Sequence, residues 1–304
     1  MKTLFIFILT ITTVTLFSSC KRENEEQNFV DDQTARNEEE ILSYIAAKGL
    51  QMQKDENGIY YKITGTPTGE SPDTTFRYVE LKYEIRVIPN ETPIDTNYKL
   101  SGTKKLIAPV INPATGGGSI ISPRGIDVFM QLNKQIIFKG QKATLLMNHT
   151  QGFGTASTPF LPPYSALRVD LEVVNVKSEE QYISERLQVL GLTATQNVDG
   201  VVYARTQVGT GEDVIKDSSK VTVKYIGRRV IDNTIFDSGQ SFTFQPYTGV
   251  ISGWKKGIPL MKKIGEKGYL LIPSKLGYGA TGINNIRPYT PLYFEVEILN
   301  VTNE

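Results

Sequence analysis

One histidine, His149, and one cysteine, Cys20, stand in a chain of 304 residues, and that scarcity removes most catalytic apparatus. A histidine-dependent serine or cysteine triad would have to use His149, whose surroundings lack a nucleophile elbow. His149 reads instead as a loop residue. Clusters of His, Cys and acids at metal-ligand spacing are absent, and Gly116-Gly117-Gly118 has no following phosphate-binding lysine, so no metal or cofactor is expected. Aromatic side chains are plentiful: 15 Tyr, 13 Phe and one Trp. Trp254 closes the run Val250-Ile251-Ser252-Gly253-Trp254. Tyr225, Phe236-Asp237, Phe242 and Phe244 precede it, and Gly277-Tyr278-Gly279-Ala280 and the run from Leu292 to Leu299 follow. Tyrosine and tryptophan offer apolar area with a polar edge, which suits an apolar pocket of small-molecule size.

This order and spacing resemble the FK506-binding-protein (FKBP) family of peptidyl-prolyl isomerases, over roughly Val201 to Val301. The resemblance implies that Trp254 is a floor for a proline ring, with Tyr225, Phe236, Phe242, Val250, Ile251 and Phe294 as walls. It further implies that the Ile251 backbone amide and the Tyr278 phenol donate to a ligand carbonyl, while the Asp237 carboxylate accepts. Tyr225, Phe236, Asp237, Trp254, Tyr278 and Phe294 thereby become the catalytic set. Phe242, Val250, Ile251, Ile283 and Ile286 become the substrate-binding set. Proline-containing polypeptides are the implied clients, and FK506-like macrolides the implied small ligands. Two departures bear on ligand preference: Ile283 and Arg287 replace more usual side chains over the pocket, and the segment from Asp237 to Phe242 is short. Taken singly, Phe244, Ile258 and Met261 read as core. The chemistry needs no proton shuttle. Amide resonance sets a barrier of roughly 18–20 kcal/mol to rotation, and a dry pocket that favours the twisted, less polar amide lowers it.

The elements that must position these residues are written twice. Gly49, Gly58, Gly69, Tyr83 and Asp95 recur 142 residues later as Gly191, Gly200, Gly211, Tyr225 and Asp237. Further on the offset is 125: Ile126 matches Ile251, Phe129 matches Trp254, Gly152-Phe153-Gly154 matches Gly277-Tyr278-Gly279, and Leu167 matches Leu292. The 17 extra residues of the first copy lie between Asp95 and Ile126 and carry the loop-like run from Asn112 to Ser119. Two copies at this period mean tandem domains. Each opens with a helix, for which Asn37 to Glu40 and Ser178 to Gln181 read as capping boxes, and Gly49 and Gly191 as left-handed terminators. Alternation in Val221-Val223-Tyr225 and Leu292-Phe294-Val296-Ile298 predicts half-buried antiparallel strands. Trp254, Ile258 and Met261 share one face of a short helix. The expected fold is α+β: two tandem FKBP-like domains, each an antiparallel sheet wrapped around a short helix, with an added N-terminal helix. The first copy, residues 37–176, is eroded, with Ile94 for Phe236, Phe129 for Trp254, Phe153 for Tyr278 and Val169 for Phe294. It is expected to be weakly active or inactive, and to serve as a peptide-binding unit or spacer. Residues 177–304 carry the isomerase.

The first residues address the compartment. Lys2, a short apolar stretch from Leu4 to Phe17 and the small residues before Cys20 read as a lipoprotein signal peptide, residues 1–19, with acylation of Cys20. Residues 20–36 are charged and read as a flexible tether, lifting the first domain roughly 20–25 Å from a membrane. The chain thus resembles Bacteroidetes isomerase lipoproteins associated with gliding motility, placed in the cell envelope on a lipid anchor, at the outer membrane's periplasmic or surface face. With 33 Lys and Arg against 32 Asp and Glu, and only short basic pairs, no nucleic-acid partner is expected. Folding of envelope proteins by an isomerase is the first reading. A non-catalytic peptide-binding chaperone or scaffold lipoprotein is the alternative.

Overall fold

The computed structural model describes residues 9–68, 77–96, 106–109, 125–126, 129, 138–211, 215–216, 218–245 and 248–303. Two antiparallel sheets follow one another along the chain. The first contains β1 (Gln53–Lys54), β2 (Tyr60–Thr64), β3 (Arg77–Val87), β4 (Thr92–Thr96), β5 (Leu106–Pro109), β6 (Lys142–Met147) and β7 (Leu167–Ser178). The second contains β8 (Gln196–Val198), β9 (Val201–Gln207), β10 (Lys220–Arg229), β11 (Ile235–Phe244), β12 (Lys267–Ile272) and β13 (Leu292–Thr302). Their orders are β1-β2-β6-β7-β3-β4 and β8-β9-β12-β13-β10-β11, so every strand has a counterpart in the same place. The repeat seen in the sequence is therefore a repeat of topology.

β5 is the exception that explains part of the insertion. It pairs with β3 so that Leu106 faces Leu81 and Ala108 faces Val79. In the second sheet the continuous β11 sets Phe242 against Val223 and Phe244 against Val221. The described residues of the first copy thus place β5 alongside β3 where the second copy has the end of β11. The run from Asn112 to Ser119 lies outside the described residues.

The concave side of the second sheet is filled by Val221, Val223, Leu292, Phe294, Val296 and Ile298, all buried. The short helix Ser252–Gly257 closes this core with Trp254, and Ile258 and Met261 beyond it are also buried. The α-helix stops early because Pro259 has no N–H to continue the ladder, and a 3₁₀ turn Ile258–Leu260 follows. Close packing requires glycine here: a Cβ at Gly253 would lie 2.3 Å from Ile272 Cγ2, and one at Gly268 2.4 Å from Tyr203 Cε2.

The two longer helices are α1 (Leu9–Lys48) and α2 (Glu179–Val189). Ser178 caps α2 as expected: Gln181 N donates to its hydroxyl, and the Gln181 side chain accepts from Ser178 N. Gly49 and Gly191 end both helices at φ of 59° and 66°. The bonds Leu50 N to Ile45 O and Leu192 N to Leu187 O close the two turns identically. The Asn37 capping box is not formed. Instead α1 runs unbroken through the segment expected to be a flexible tether, because residues 21–48 contain no glycine or proline and are rich in strong helix formers. Freed from capping, the Asn37 side chain crosses to the loop around His149.

Each helix covers the outer face of its sheet with matching residues. Ile41 of α1 packs with Tyr60, Ile88 and Leu146, and Ile183 of α2 with Val202, Val230 and Leu271. The outer face of β13 is consequently less exposed than alternation suggests, and Tyr293 is buried under α2. Tyr78 of the first sheet joins this second cluster, so the two domains share a continuous apolar contact. Burying a side chain of this size contributes roughly 1.5–3 kcal/mol.

Candidate active site

Strand β10 delivers Tyr225 to the rim of the second core, and its neighbour β11 delivers Asp237. The Tyr225 hydroxyl donates to Asp237 Oδ2 at 2.7 Å, and Ser238 N donates to Oδ1 at 2.8 Å. Both carboxylate oxygens are thereby aimed. A Cβ at Gly239 would sit 2.6 Å from Tyr225 Cε1, so only glycine leaves room for the phenol to reach across. Burial, then the Asp237 bond, push the Tyr225 phenol well above its ordinary range. Burial and Asp237 also raise that of Tyr278. Both phenols therefore stay protonated and act as donors near neutral pH.

Trp254 lies at the centre of the aromatic set. Tyr225 and Phe294 meet its ring edge-to-face with centroids at 5.1 and 5.2 Å, and Phe244 is tilted against it at 5.2 Å. Phe242 stacks on Phe244 at 5.4 Å and stays 38% exposed, standing at the mouth. Above this floor opens a cavity of about 400 Å³, lined by Tyr225, Asp237, Phe242, Gly249, Val250, Ile251, Trp254, Tyr278 and Phe294. Most of its lining side chains are aromatic or aliphatic, with Tyr225, Asp237 and Tyr278 supplying the polar side chains. Ile251 is the N-cap of the short helix, and its own N–H donates to no described residue. Trp254 Nε1 is likewise buried with no partner among the described residues.

Nine residues named from the sequence are thus brought together or placed in direct support. Phe236 does not line the cavity but stands edge-on behind Phe294 at 5.5 Å. Gly227 makes that contact possible, since a Cβ there would lie 2.8 Å from both rings. Ile283 and Ile286 are not among the lining residues. They pair with each other through two backbone bonds of 2.9 and 2.8 Å, which leaves Ile283 48% exposed and turns Ile286 into the core. Gly249, at φ 71°, lines the cavity and was missed, although it directly precedes the Val250 run. Phe244, Ile258 and Met261 are core, as expected.

The first copy keeps one feature of this rim. The Tyr83 hydroxyl donates to Asp95 Oδ2 at 2.7 Å, the same distance as in the second copy. Phe129 and Val169 are fully buried where Trp254 and Phe294 face the cavity. By register, Leu106 and Ala108 take the places of Phe242 and Phe244. His149 sits in a turn and is buried, with Nδ1 3.0 Å from Asn37 Oδ1. Among the described residues no group of three or more His, Cys, Asp or Glu is placed to hold a metal.

Residues 211–299 match the family described as FKBP-type peptidyl-prolyl cis-trans isomerase. Among curated proteins, the chain is 42% identical over 106 residues to the FKBP-type peptidyl-prolyl cis-trans isomerase FkpA of Escherichia coli K12, covering 34% of this chain and 38% of that one. It is 33% identical over 136 residues to FkpA of Buchnera aphidicola from Schizaphis graminum, covering 43% and 52%. It is 39% identical over 107 residues to the macrophage infectivity potentiator of Trypanosoma cruzi, covering 34% and 53%. The chain spans about half the length of these relatives or less. Among solved structures, a peptidyl-prolyl cis-trans isomerase of Pseudomonas syringae aligns with a TM-score of 0.36 and 34% identity, over 41% of this chain and 91% of that one.

Proposed function

We propose that this chain, whose residues 211–299 belong to the FKBP-type peptidyl-prolyl isomerase family, rotates X–Pro bonds of polypeptide clients in its C-terminal domain. One observation carries the reading: a cavity of about 400 Å³ in which Trp254 is flanked mainly by aromatic and aliphatic side chains, with Tyr225, Asp237 and Tyr278 beside them. A proline ring seated on the indole places its preceding amide among apolar walls. There the planar, polar ground state loses solvation that the twisted amide needs less. The Ile251 N–H and the Tyr278 phenol hold the client's carbonyls, and Asp237, aimed by Tyr225, fixes the opposite edge. No group must gain or lose a proton during the turnover.

The first domain takes no direct part in catalysis in this reading. Its smaller side chains at the matching positions suit a weaker peptide contact or a spacer. Acylation at Cys20, after removal of residues 1–19, anchors the chain in the cell envelope in the manner of Bacteroidetes lipoproteins. Envelope proteins are then the clients. No helix among the described residues is long and apolar enough to cross a membrane. Residues 20–36, as part of α1, hold the folded domains about 25 Å from the anchor at 1.5 Å per residue.

The test is a proline-peptide isomerisation assay on the folded full chain. Acceleration that disappears on Trp254→Ala supports the proposal. Saturable peptide binding without acceleration refutes it and leaves a peptide-holding module.

A further inference from the structure

The two copies solve one local problem in different ways. Each has a loop whose tyrosine, Tyr164 or Tyr289, adopts a left-handed backbone with φ of 59° or 54°. In each, that tyrosine's N–H returns to a glycine of the Gly-aromatic-Gly run, Tyr164 to Gly154 O at 2.9 Å and Tyr289 to Gly279 O at 2.8 Å. In each, a residue of the covering helix accepts from the loop's backbone: Asn37 from His149 N at 2.9 Å, and Glu179 from Ser274 N. Asn37 matches Glu179 at the 142 offset, and His149 matches Ser274 at the 125 offset. The difference lies at the tyrosine carbonyl. In the first copy the Asn37 amide also donates, reaching Tyr164 O at 3.1 Å. In the second copy both Glu179 carboxyl oxygens are taken up by Ser274, through its N and its Oγ. The Tyr289 carbonyl is instead met by the hydroxyl of Tyr78, from β3 of the first domain.

We infer that Tyr78 is a positioning residue for the C-terminal site, supplied across the domain boundary to fix the loop that carries Tyr278. The inference rests on the isomerase reading for its kinetic consequence. Tyr78 is fully buried, and its ring meets Tyr182 edge-to-face at 5.4 Å. Its hydroxyl donates to the Tyr289 carbonyl, while the Tyr289 N–H donates to the carbonyl of Gly279, next to Tyr278. Ser274, bonded to Glu179 through both N and Oγ, starts the same loop. The retained first copy thereby completes the second copy's site, whatever its own pocket does.

Amide hydrogen exchange of residues 277–290, measured on the full chain, reads this directly. Tyr78→Phe keeps the ring and removes the hydroxyl, and exchange should quicken about fivefold, the weight of one hydrogen bond. Tyr182→Phe is the control, because it removes a hydroxyl from the same cluster, donated to Glu80 at 2.9 Å, without touching the loop. It should leave the loop's exchange within about twofold of wild type. Glu179→Asn restores the first copy's amide, so Tyr78→Phe in that background should cost less than about twofold. In the isomerisation assay Tyr78→Phe should raise KM about fivefold and hold kcat within about twofold, since Tyr278 binds both ground and transition states. Unchanged exchange in Tyr78→Phe, an equal effect from Tyr182→Phe, or an undiminished cost in the Glu179→Asn background would each overturn the inference. An inactive wild-type protein would overturn the isomerase proposal and leave exchange to decide this one.

Discussion

Glu179 is a carboxylate in an apolar setting, and its replacement by glutamine should change how stability depends on pH. The residue is only 7% exposed, at the start of α2, and accepts from both Ser274 N and Ser274 Oγ. Burial dominates and pushes its carboxyl from 4.5 up to about 7, against the opposing bonds from Ser274. In the native state the neutral form is therefore favoured, and the unfolded chain releases the proton first as pH rises. Stability from this group is fully present below about pH 4.5 and is lost as pH climbs to about 7. A shift of this size corresponds to about 3 kcal/mol between the two limits. Glu179→Gln keeps the shape and the acceptor for Ser274 N but has no proton to lose. Urea unfolding of both full chains, followed by Trp254 fluorescence, should give nearly equal stabilities at pH 4.5. Between pH 5 and pH 8 the glutamine variant should gain about 2.5 kcal/mol on wild type. Glu180, Lys275 and Tyr78 also face this site, but they are common to both proteins and cancel in the difference. Parallel stability profiles across that range would falsify the assignment of a buried, proton-holding Glu179.

Two further outcomes concern the site and a third the N-terminus. Asp237→Leu leaves the Tyr225 hydroxyl without its acceptor and should lower kcat/KM about tenfold, checked in the isomerisation assay. Gly227→Ala drives a Cβ to within 2.8 Å of Phe236 and Phe294, and should destabilise the fold by about 1–3 kcal/mol while weakening proline-peptide binding, read by Trp254 fluorescence. Cys20→Ala should move the protein from the membrane to the soluble fraction; unchanged membrane association would refute lipidation.

How much of this was legible in advance depended on whether the signal was local. Alternation in β10 and β13 identified the strands, because the period of two is a property of each segment alone. The capping box at Ser178 was legible for the same reason, and its twin at Asn37 was not. Both segments carry the required residues, but only the context upstream decides whether a helix begins there or is already under way. A charged, aliphatic-poor stretch reads as coil when tertiary burial is the criterion, yet it holds no residue that stops a helix. Within the site, the floor and most walls were visible in the order of aromatics. Ile283 and Ile286 do not line the cavity, because a two-residue backbone pair turns one outward and one inward, which spacing does not reveal. Tyr78 and Glu179 escaped notice since their roles depend on contacts 211 and 95 residues away in the chain.

Ser178 is both the last residue of β7 and the N-cap of α2. One serine therefore joins an element of the first sheet to the helix that covers the second, with no intervening coil. A tandem protein built on a loose linker lets each unit search independently, and its partners experience a local concentration set by linker length. Here the link between the two units is the ordered backbone itself. A shift of β7 is therefore passed straight to α2 and to the Glu179–Ser274 contact at its start, with no slack segment to absorb it.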